Sequence, residues 1–262
     1  MTTVPIRETE SHATATGAVP WHKYKAAHHF RNKEEEFDGV KLGMWLFLAT
    51  EVLLFSGLFC AYAVFRILHP EAFTNGSSYL DWRWGGLNTV VLLVSSYTMA
   101  ASIRNVQLQQ FARAKFNLLF TMACGLAFLC IKFLFEYTPK WSGWFFVLDP
   151  ALSHHEDSGK RALGGLFHFV EGYGGKRPGE WFDYPFSTDN YEHLWWSVYY
   201  SATGIHATHV IIGMGLIAWV YLRVRKGMYG PTHYTGVEMA GLYWHLVDLI
   251  WIFLFPLLYL IH

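Results

Sequence analysis

Five long apolar runs, separated by polar segments, dominate the pattern along the chain. They predict helices over about residues 42–68, 85–106, 114–137, 193–222 and 236–261, which are called spans one to five. Each run is long enough to cross the ~30 Å hydrocarbon core of a bilayer, because an α-helix rises ~1.5 Å per residue. The alternative, a soluble helical bundle, needs polar outer faces that these runs lack. The pattern therefore predicts an all-α membrane protein, an antiparallel bundle of five transmembrane helices.

Basic residues predict the orientation of this bundle. Six Lys or Arg residues lie within residues 1–41, and three more lie in each of the connections that follow spans two and four. Alternating spans place all of these on one side, and the positive-inside rule makes that side cytoplasmic. We therefore predict a cytoplasmic N-terminal segment (1–41), a membrane domain (42–262) with a long external loop (138–191), and an external C-terminus.

The long loop, residues 138–191, is rich in Gly, Pro, His and charged residues. A structureless loop of that length is uncommon in compact proteins. Its aromatic residues favour packing on something outside the membrane, such as another subunit. A mobile surface insertion is the alternative.

Composition narrows the classes of function. Hydrophobic residues make up 53% of the chain and charged residues 15%, whereas a typical soluble domain has about 25% charged residues. Twenty basic residues balance twenty acidic ones, so the chain lacks the broad basic field of a nucleic-acid-binding protein. Cys60, Cys124 and Cys130 all lie inside predicted spans, which argues against a disulfide framework.

Glu51 is the sharpest candidate for a functional residue inside the membrane. It lies ten residues after Lys41, which places it about 15 Å along the helix and near the middle of the bilayer. Its neighbours on the same helix are apolar. An ionisable residue at that depth is costly, so Glu51 is expected to be protonated or paired with another helix.

Two histidines on span four are the second candidates. His206 and His209 are three residues apart and share a face, among small residues that allow close helix packing. The depth of each residue along its helix puts Glu51, His206 and His245 in one central layer. His206 and His245 are therefore the predicted partners of Glu51.

Spans five and three carry further buried polar residues. On span five, Glu238 and His245 share a face, and Asp248 lies one turn further on. Near the end of span three, Lys132 and Glu136 are four residues apart, so they are predicted to pair and to snorkel toward the outer surface.

Spacing alone leaves three interpretations of these residues open. His206 and His245 could ligate a haem between facing helices. A layer of carboxylates and histidines could form part of a proton path. The third interpretation is a structural hydrogen-bond network that holds the helices together.

Four sequence blocks in one order carry a resemblance to a known family. They read LGMWLFLATEVLLFSGLFCAY, LNTVVLLVSSYT, TGIHATHVIIG and GVEMAGLYWHLVDLIWIFLFPLLY, and the KFLFEY ending of span three is also similar. Together they resemble subunit III of the haem–copper cytochrome c oxidases. The resemblance covers residues 37–137 and 192–262.

The resemblance implies a function. Subunit III of the family is a non-redox subunit of a proton-pumping oxidase, in which subunit I holds haem and copper. It packs on subunit I, in a complex that also contains subunit II, supports its stability and proton uptake, and binds phospholipid. This chain is then expected in the bacterial cytoplasmic (inner) membrane, with no catalytic centre, haem or metal of its own. The family's membrane residues map onto Glu51, His206, His209, Glu238, His245 and Asp248.

Two departures from the family pattern affect this interpretation. The long form of the family has seven helices, and this chain resembles its last five. The other two form one wall of the family's lipid cleft, and in some relatives they are attached to subunit I. The loop at 138–191 is longer than usual, which suggests contact with a cytochrome c domain or an accessory subunit. A subunit of a quinol oxidase or nitric oxide reductase, and a b-type cytochrome membrane anchor, remain alternatives.

Overall fold

The computed structural model describes residues 20–28, 30–78, 80–137, 144–147, 160–162, 167–171 and 191–261. Six α-helices follow one another along the described chain: α1 (Lys33–Leu68), α2 (Pro70–Ser78), α3 (Trp82–Gln107), α4 (Phe111–Ile131), α5 (Glu192–Arg225) and α6 (Thr235–Tyr259). A short 3-10 helix, Trp21–Lys23, precedes α1, and a π-helix, Lys132–Tyr137, continues α4. The strands are β1 (Trp144–Val147), β2 (Lys160–Ala162) and β3 (Phe167–Glu171).

Five of these helices, α1 and α3 to α6, are long and apolar enough to cross a membrane. They correspond to spans one to five, so the predicted all-α bundle of five transmembrane helices is confirmed. From α3 onward, each membrane helix packs against the next one in the chain. The helix α6 also packs against α3 and α1, and α1 packs against α5 and α6 rather than against α3. The bundle is therefore closed around α6.

The helix α1 begins at Lys33, before the apolar run that predicted it. The side chain of Asn32 accepts a hydrogen bond from the backbone N–H of Glu35, which caps the helix. Glu34, Glu35 and Glu36 fill the first turn, where negative charge complements the helix dipole. With 36 residues, or about 54 Å, α1 is longer than the bilayer core and extends beyond it at its start.

Two features outside the membrane helices were not predicted. The short helix α2 buries Phe73, and it approaches α5 so closely at Gly76 that an added Cβ would lie 2.6 Å from the ring of Trp195. The segment predicted as a loop contains an antiparallel sheet with the strand order β1–β3–β2, in which Trp144 pairs with Glu171 and Lys160 with Phe169.

Burial differs strongly between the first and last helices. Half of the apolar window of α6 is buried, against 11% for α1. Leu48, Phe55 and Tyr62 are the buried residues of α1, and their spacing of seven makes a single stripe along the helix. The centre of the bundle is therefore α6, whereas α1 lies at its edge. The candidate site lies where this edge helix meets α5.

Candidate functional site

Glu51 on α1 and His209 on α5 form a direct pair. The Oε2 atom of Glu51 lies 2.7 Å from Nε2 of His209, and the two side chains are 16% and 13% exposed. On the other side of the ring, Nδ1 of His209 lies 2.7 Å from the carbonyl oxygen of Ile205. A carbonyl only accepts, so Nδ1 must carry a proton and donate it. Nε2 and Glu51 therefore share one further proton, held either as a protonated carboxyl or as a histidinium–carboxylate pair.

Aromatic rings surround this pair. The ring of Phe55 packs edge-on against His209 at 5.3 Å, and the ring of Tyr243 stacks on it at 6.4 Å. Phe47 stacks in turn on Tyr243 at 6.2 Å. These contacts hold the imidazole of His209 in its orientation toward α1.

The predicted partners of Glu51 were wrong, because His209 takes that place. Three residues along an α-helix rotate a side chain by about 300°, so His206 and His209 diverge by about 60°. His209 faces α1, whereas His206 faces the interior between Phe128 of α4, at 5.4 Å, and Trp251 of α6, at 5.2 Å. His206 is fully buried there.

The polar residues of α6 lie at different levels and have different neighbours. Glu238 lies near the start of the helix and forms an ion pair of 2.8 Å with Lys41 of α1. His245 lies further along, with Nδ1 2.7 Å from the hydroxyl of Ser96 on α3. Asp248 is buried in the interior of the bundle. The structure therefore does not bring Glu238, His245 and Asp248 together with Glu51.

Lys132 and Glu136 form the predicted pair, but the prediction that they snorkel to the outer surface was wrong. Their side chains are 1% and 4% exposed. The ammonium group of Lys132 donates to the carboxylate of Glu136 and to the hydroxyl oxygens of Tyr199, at 3.2 Å, and Tyr259, at 2.5 Å. Both tyrosines donate to the same carboxylate oxygen of Glu136. This cluster joins the end of α4 to α5 and α6 inside the protein.

A second polar cluster, at the other end of the bundle, was missed from the sequence. Tyr24 stacks on His233, with ring centroids 3.6 Å apart, and its hydroxyl donates to Glu36 at 2.7 Å. The backbone N–H of Trp21 donates to the carbonyl oxygen of Gly227. We call the contact of residues 21–24 with the α5–α6 connection the N-terminal clamp. Two aromatic residues in an otherwise polar segment were the available signal.

Burial shifts the titration of the N-terminal clamp. Burial and the hydrogen bond to Glu36 raise the pKa of Tyr24 to about 12. Burial lowers the pKa of His233, partly offset by the charge of Glu36. Beside the clamp is a cavity of about 690 Å³, whose basic lining residues include Lys23, Lys25 and Arg223. The guanidinium group of Arg223 lies 3.9 Å from the ring centroid of Trp219.

The chemistry available at these positions is proton holding and charge pairing. Within the residues that the structure describes, no group of three or more His, Cys, Asp or Glu side chains could hold a metal ion. Cys60, Cys124 and Cys130 are free thiols on helices that cross the membrane. The candidate site is therefore the Glu51–His209 pair.

The chain is similar to one family model and to several known proteins. Residues 175–262 match the family model described as cytochrome c oxidase subunit III. The chain is 33% identical to cytochrome c oxidase subunit 3 of Synechocystis over 226 residues, which cover 84% of this chain and 74% of that protein. It is 28% identical to cytochrome c oxidase subunit 3 of Thermostichus vulcanus, over 84% of this chain and 86% of that protein.

A third relative has a different organisation. The haem–copper oxidase subunit I+III of Aeropyrum pernix is 25% identical over 86% of this chain, which corresponds to 23% of that protein. The similarity to the Synechocystis protein identifies the family, and the five apolar helices identify a membrane protein. The chain is a multi-pass membrane protein that belongs to the cytochrome c oxidase subunit III family.

Proposed function

We propose that this chain is the non-redox subunit III of a proton-pumping cytochrome c oxidase, whose haem and copper are held by its partners. The observation that carries this proposal is the similarity over 84% of the chain to proteins named cytochrome c oxidase subunit 3. Its role is to pack on the catalytic subunit I, to support the stability and proton uptake of that subunit, and to bind lipid.

Association with subunit I is supported by one relative and by the exposed surface of the chain. In the Aeropyrum relative, subunits I and III are named as one protein. Apolar side chains such as Leu53 and Ile67 of α1 are 70% and 80% exposed. In a membrane, such a surface contacts lipid tails or the apolar helices of a partner.

The Glu51–His209 pair supports a role in proton uptake. It holds one proton between a carboxylate and an imidazole at the edge of the bundle, under a cover of aromatic rings. Such a pair fixes α1 against α5 and can exchange its proton with a neighbouring subunit. The structural function is the main one in this proposal, and the buffering of protons is secondary.

Phospholipid is the proposed ligand of the chain. The cavity beside the N-terminal clamp combines Lys23, Lys25 and Arg223 with apolar residues such as Trp219 and Val40. These three basic residues outnumber the one acidic lining residue, Glu36, which accepts a hydrogen bond from Tyr24. Basic groups next to an apolar wall suit an anionic headgroup whose tails lie along the helices. The external segment 138–191 is the proposed contact with subunit II, a cytochrome c domain or an accessory subunit.

The proposed location is the bacterial cytoplasmic membrane, with the N-terminus in the cytoplasm and the C-terminus outside. The charge bias between the two sides supports this orientation. The structure joins the N-terminal segment to the α5–α6 connection, so two of the three basic regions lie at one end of the bundle.

Copurification tests the proposal directly. An affinity tag on the C-terminus of this chain is expected to recover a partner with haem and copper that oxidises cytochrome c and consumes oxygen. Recovery of a partner that oxidises only quinol, or one that reduces nitric oxide, would assign the chain to those complexes instead. A pyridine haemochrome signal from the separated chain would favour a b-type cytochrome anchor over all of them.

A further inference from the structure

Three polar side chains in the middle of the bundle have no hydrogen-bond partner in the part of the chain that the structure describes. They are Asn88 on α3, His206 on α5 and Asp248 on α6, and they are 0%, 0% and 3% exposed. Neither polar atom of Asn88 or of His206 is paired. The carboxyl group of Asp248 has the hydroxyl groups of Ser95 and Ser96 near it, but neither is in hydrogen-bond geometry with its oxygens. Buried polar atoms in proteins are nearly always hydrogen-bonded, so six unpaired atoms on three helices need an explanation.

Trp251 connects the three side chains. Its ring lies 5.2 Å from that of His206, and its indole N–H donates at 3.1 Å to the hydroxyl of Thr89, the neighbour of Asn88. Asp248 precedes Trp251 by three residues on α6, which is about 4.5 Å along the helix axis. His206 therefore contacts Trp251 directly, Asn88 adjoins a residue that contacts it, and Asp248 lies about one helical turn from it on α6.

We propose that Asn88, His206 and Asp248 form an internal water-binding site around Trp251, which we call the Trp251 polar node. Ordered water molecules bridge the three side chains and complete the hydrogen bonds that α3, α5 and α6 do not supply. The node is separate from the Glu51–His209 pair, because His206 faces away from α1.

The three side chains do not bond to one another, because none of their six polar atoms has a hydrogen-bond partner in the described chain. A bridging water adds two bonds of about 2.8 Å each, so it links groups that are about 5 Å apart. Buried waters typically make two to four hydrogen bonds to otherwise unpaired groups, and six atoms on three helices fit that role for a few waters.

The mixture of donors and acceptors favours water over a cation. The amide nitrogen of Asn88 is a donor, and a neutral imidazole such as His206 presents one donor and one acceptor. The amide oxygen of Asn88 and the carboxyl of Asp248 add acceptors. A metal ion satisfies acceptors alone, whereas water both donates and accepts.

Neighbouring buried hydroxyl groups in this bundle find their hydrogen-bond partners within the protein, without water. Ser95 and Ser102 are buried and each donates to a carbonyl oxygen of its own helix. The indole N–H of Trp244 donates to Ser95 at 3.0 Å. Short hydroxyl side chains reach their own backbone, but the polar atoms of Asn88, His206 and Asp248 bond to no backbone group and need an external partner.

Labelling by hydroxyl radicals tests for water at the node. X-ray pulses generate radicals from water bound next to a side chain, and mass spectrometry of the intact purified complex then reports which residues are oxidised. We expect oxidation of Trp251, and we expect little at Phe73 of α2, which is also buried but packs against Tyr62 away from the node. Equal protection of Trp251 and Phe73, after correction for the reactivity of each side chain, would overturn the proposal.

Two variants and a matched control separate bound water from leakage of bulk solvent. Asn88→Leu and His206→Phe keep the approximate size of each side chain and remove its polar atoms. Each is expected to reduce the labelling of Trp251, and the pair together to abolish it. Thr121→Val, which removes a hydroxyl already bonded to Asn117 and Thr98, is the control and should leave that labelling unchanged. Labelling that survives in the double variant would contradict the proposal.

A density map of the wild-type complex gives an answer even if the variants fail to assemble. Peaks within hydrogen-bond distance of Asn88, His206 and Asp248 are expected, with no dependence on the salt used. A node without peaks, or a peak seen with sodium and lost with choline as the only cation, would overturn the assignment to water.

Discussion

The hydrogen bonding of Glu51 is set by its partner on α5 rather than by its own helix. His209 donates from Nδ1 to the carbonyl oxygen of Ile205, so its Nε2 atom is left to share a proton with the carboxyl group. An isolated carboxylate near the middle of a bilayer would be costly, and this pairing removes that cost. A substitution can therefore keep the hydrogen bond between residue 51 and His209 while removing the ability of the side chain to ionise.

Glu51→Gln is predicted to assemble and to retain near-normal oxidase and pumping activity. The amide can donate to Nε2 of His209 in place of the carboxyl group, so the helix contact persists although the side chain cannot ionise. Oxygen uptake and the proton-to-electron ratio measure this. Glu51→Leu is the control: it leaves Nε2 unpaired and should destabilise the chain by about 1–3 kcal/mol. Normal assembly of Glu51→Gln with lost proton uptake, most visible at high pH, would show that proton supply is the main role.

Lys132→Met is predicted to destabilise the chain strongly, because it leaves the buried carboxylate of Glu136 without its cation. Removal of one partner from a buried ion pair typically costs about 3–5 kcal/mol. The double variant Lys132→Met with Glu136→Leu removes both charges and should recover much of that loss. Thermal unfolding of the purified chain in detergent measures all three proteins. A single variant as stable as the wild type would contradict a buried pair.

Residue spacing could identify which side chains carry chemistry, but not which neighbours they meet. The four-residue separation of Lys132 and Glu136 predicted their pair correctly. The spacing of His206 and His209 gives the divergence of about 60° between them. Which of the two faces α1 depends on the helices that flank α5, and spacing does not encode that. Lys132 is buried because Tyr199 and Tyr259, far away in sequence, supply its oxygen ligands.

At the scale of single elements, close helix packing depends on glycine at defined positions. On α5, an added Cβ at Gly213 would lie 2.8 Å from the ring of Trp244, whereas one at Gly215 would meet nothing within 4 Å. The same tryptophan lies 2.8 Å from an added Cβ at Gly125 on α4. The ring of Trp244 on α6 therefore packs directly against Gly125 of α4 and Gly213 of α5.

Gly213→Ala is predicted to destabilise the bundle by about 1–3 kcal/mol, since the methyl group forces the ring of Trp244 out of its place. Gly215→Ala, two residues away on the open face of the same helix, is the matched control. It should be neutral or stabilise the helix by up to roughly 1 kcal/mol, because Ala has the higher helix propensity. Melting temperatures of the purified variants compare the two, and equal values would argue against this packing.

The N-terminal clamp is predicted to loosen as the pH falls. Burial lowers the pKa of His233 below its ordinary 6.5, so the unfolded or released segment binds more protons than the clamped one. The contribution of His233 is therefore complete above pH 6.5 and is lost as the pH falls through the lowered pKa. Hydrogen exchange of residues 21–24, corrected for the intrinsic rate at each pH, should accelerate relative to that of α6 as the pH falls.

His233→Phe provides the control for the clamp. Phenylalanine keeps the stack on Tyr24 but does not titrate, so the corrected exchange rate of residues 21–24 should no longer depend on pH. A corrected wild-type rate that is flat between pH 8 and pH 5 would argue against control by His233.

The helices themselves were largely predictable from sequence, whereas the polar segments were not. Hydropathy identified all five spans because the membrane imposes a long apolar run on each. It missed the start of α1, which is set by the cap at Asn32 and by charge in the first turn. It also missed α2 and the small sheet, because short elements outside the membrane carry no such length requirement.

At the scale of the whole molecule, the N-terminal clamp relates the orientation predicted for the N-terminal segment to that predicted for the connection from α5 to α6. The N-terminal segment and the connection from α5 to α6 meet at Trp21 and Gly227, so they must lie on the same side of the membrane. The strand β2 lies in the connection between α4 and α5, at the opposite end of both helices. A single experiment with one position in each region therefore decides the topology of the chain.

Lys160→Cys in β2 is predicted to react with a membrane-impermeant maleimide on intact cells, and Lys226→Cys after α5 is predicted not to react. Both are made in a chain without the native cysteines, Cys60, Cys124 and Cys130. The physical reason is the excess of Lys and Arg at the end that carries Lys226, which resists translocation across the membrane. Permeabilised cells should label both positions, which controls for accessibility. Labelling of Lys226→Cys alone on intact cells would reverse the orientation of all five helices and place the N-terminal clamp outside.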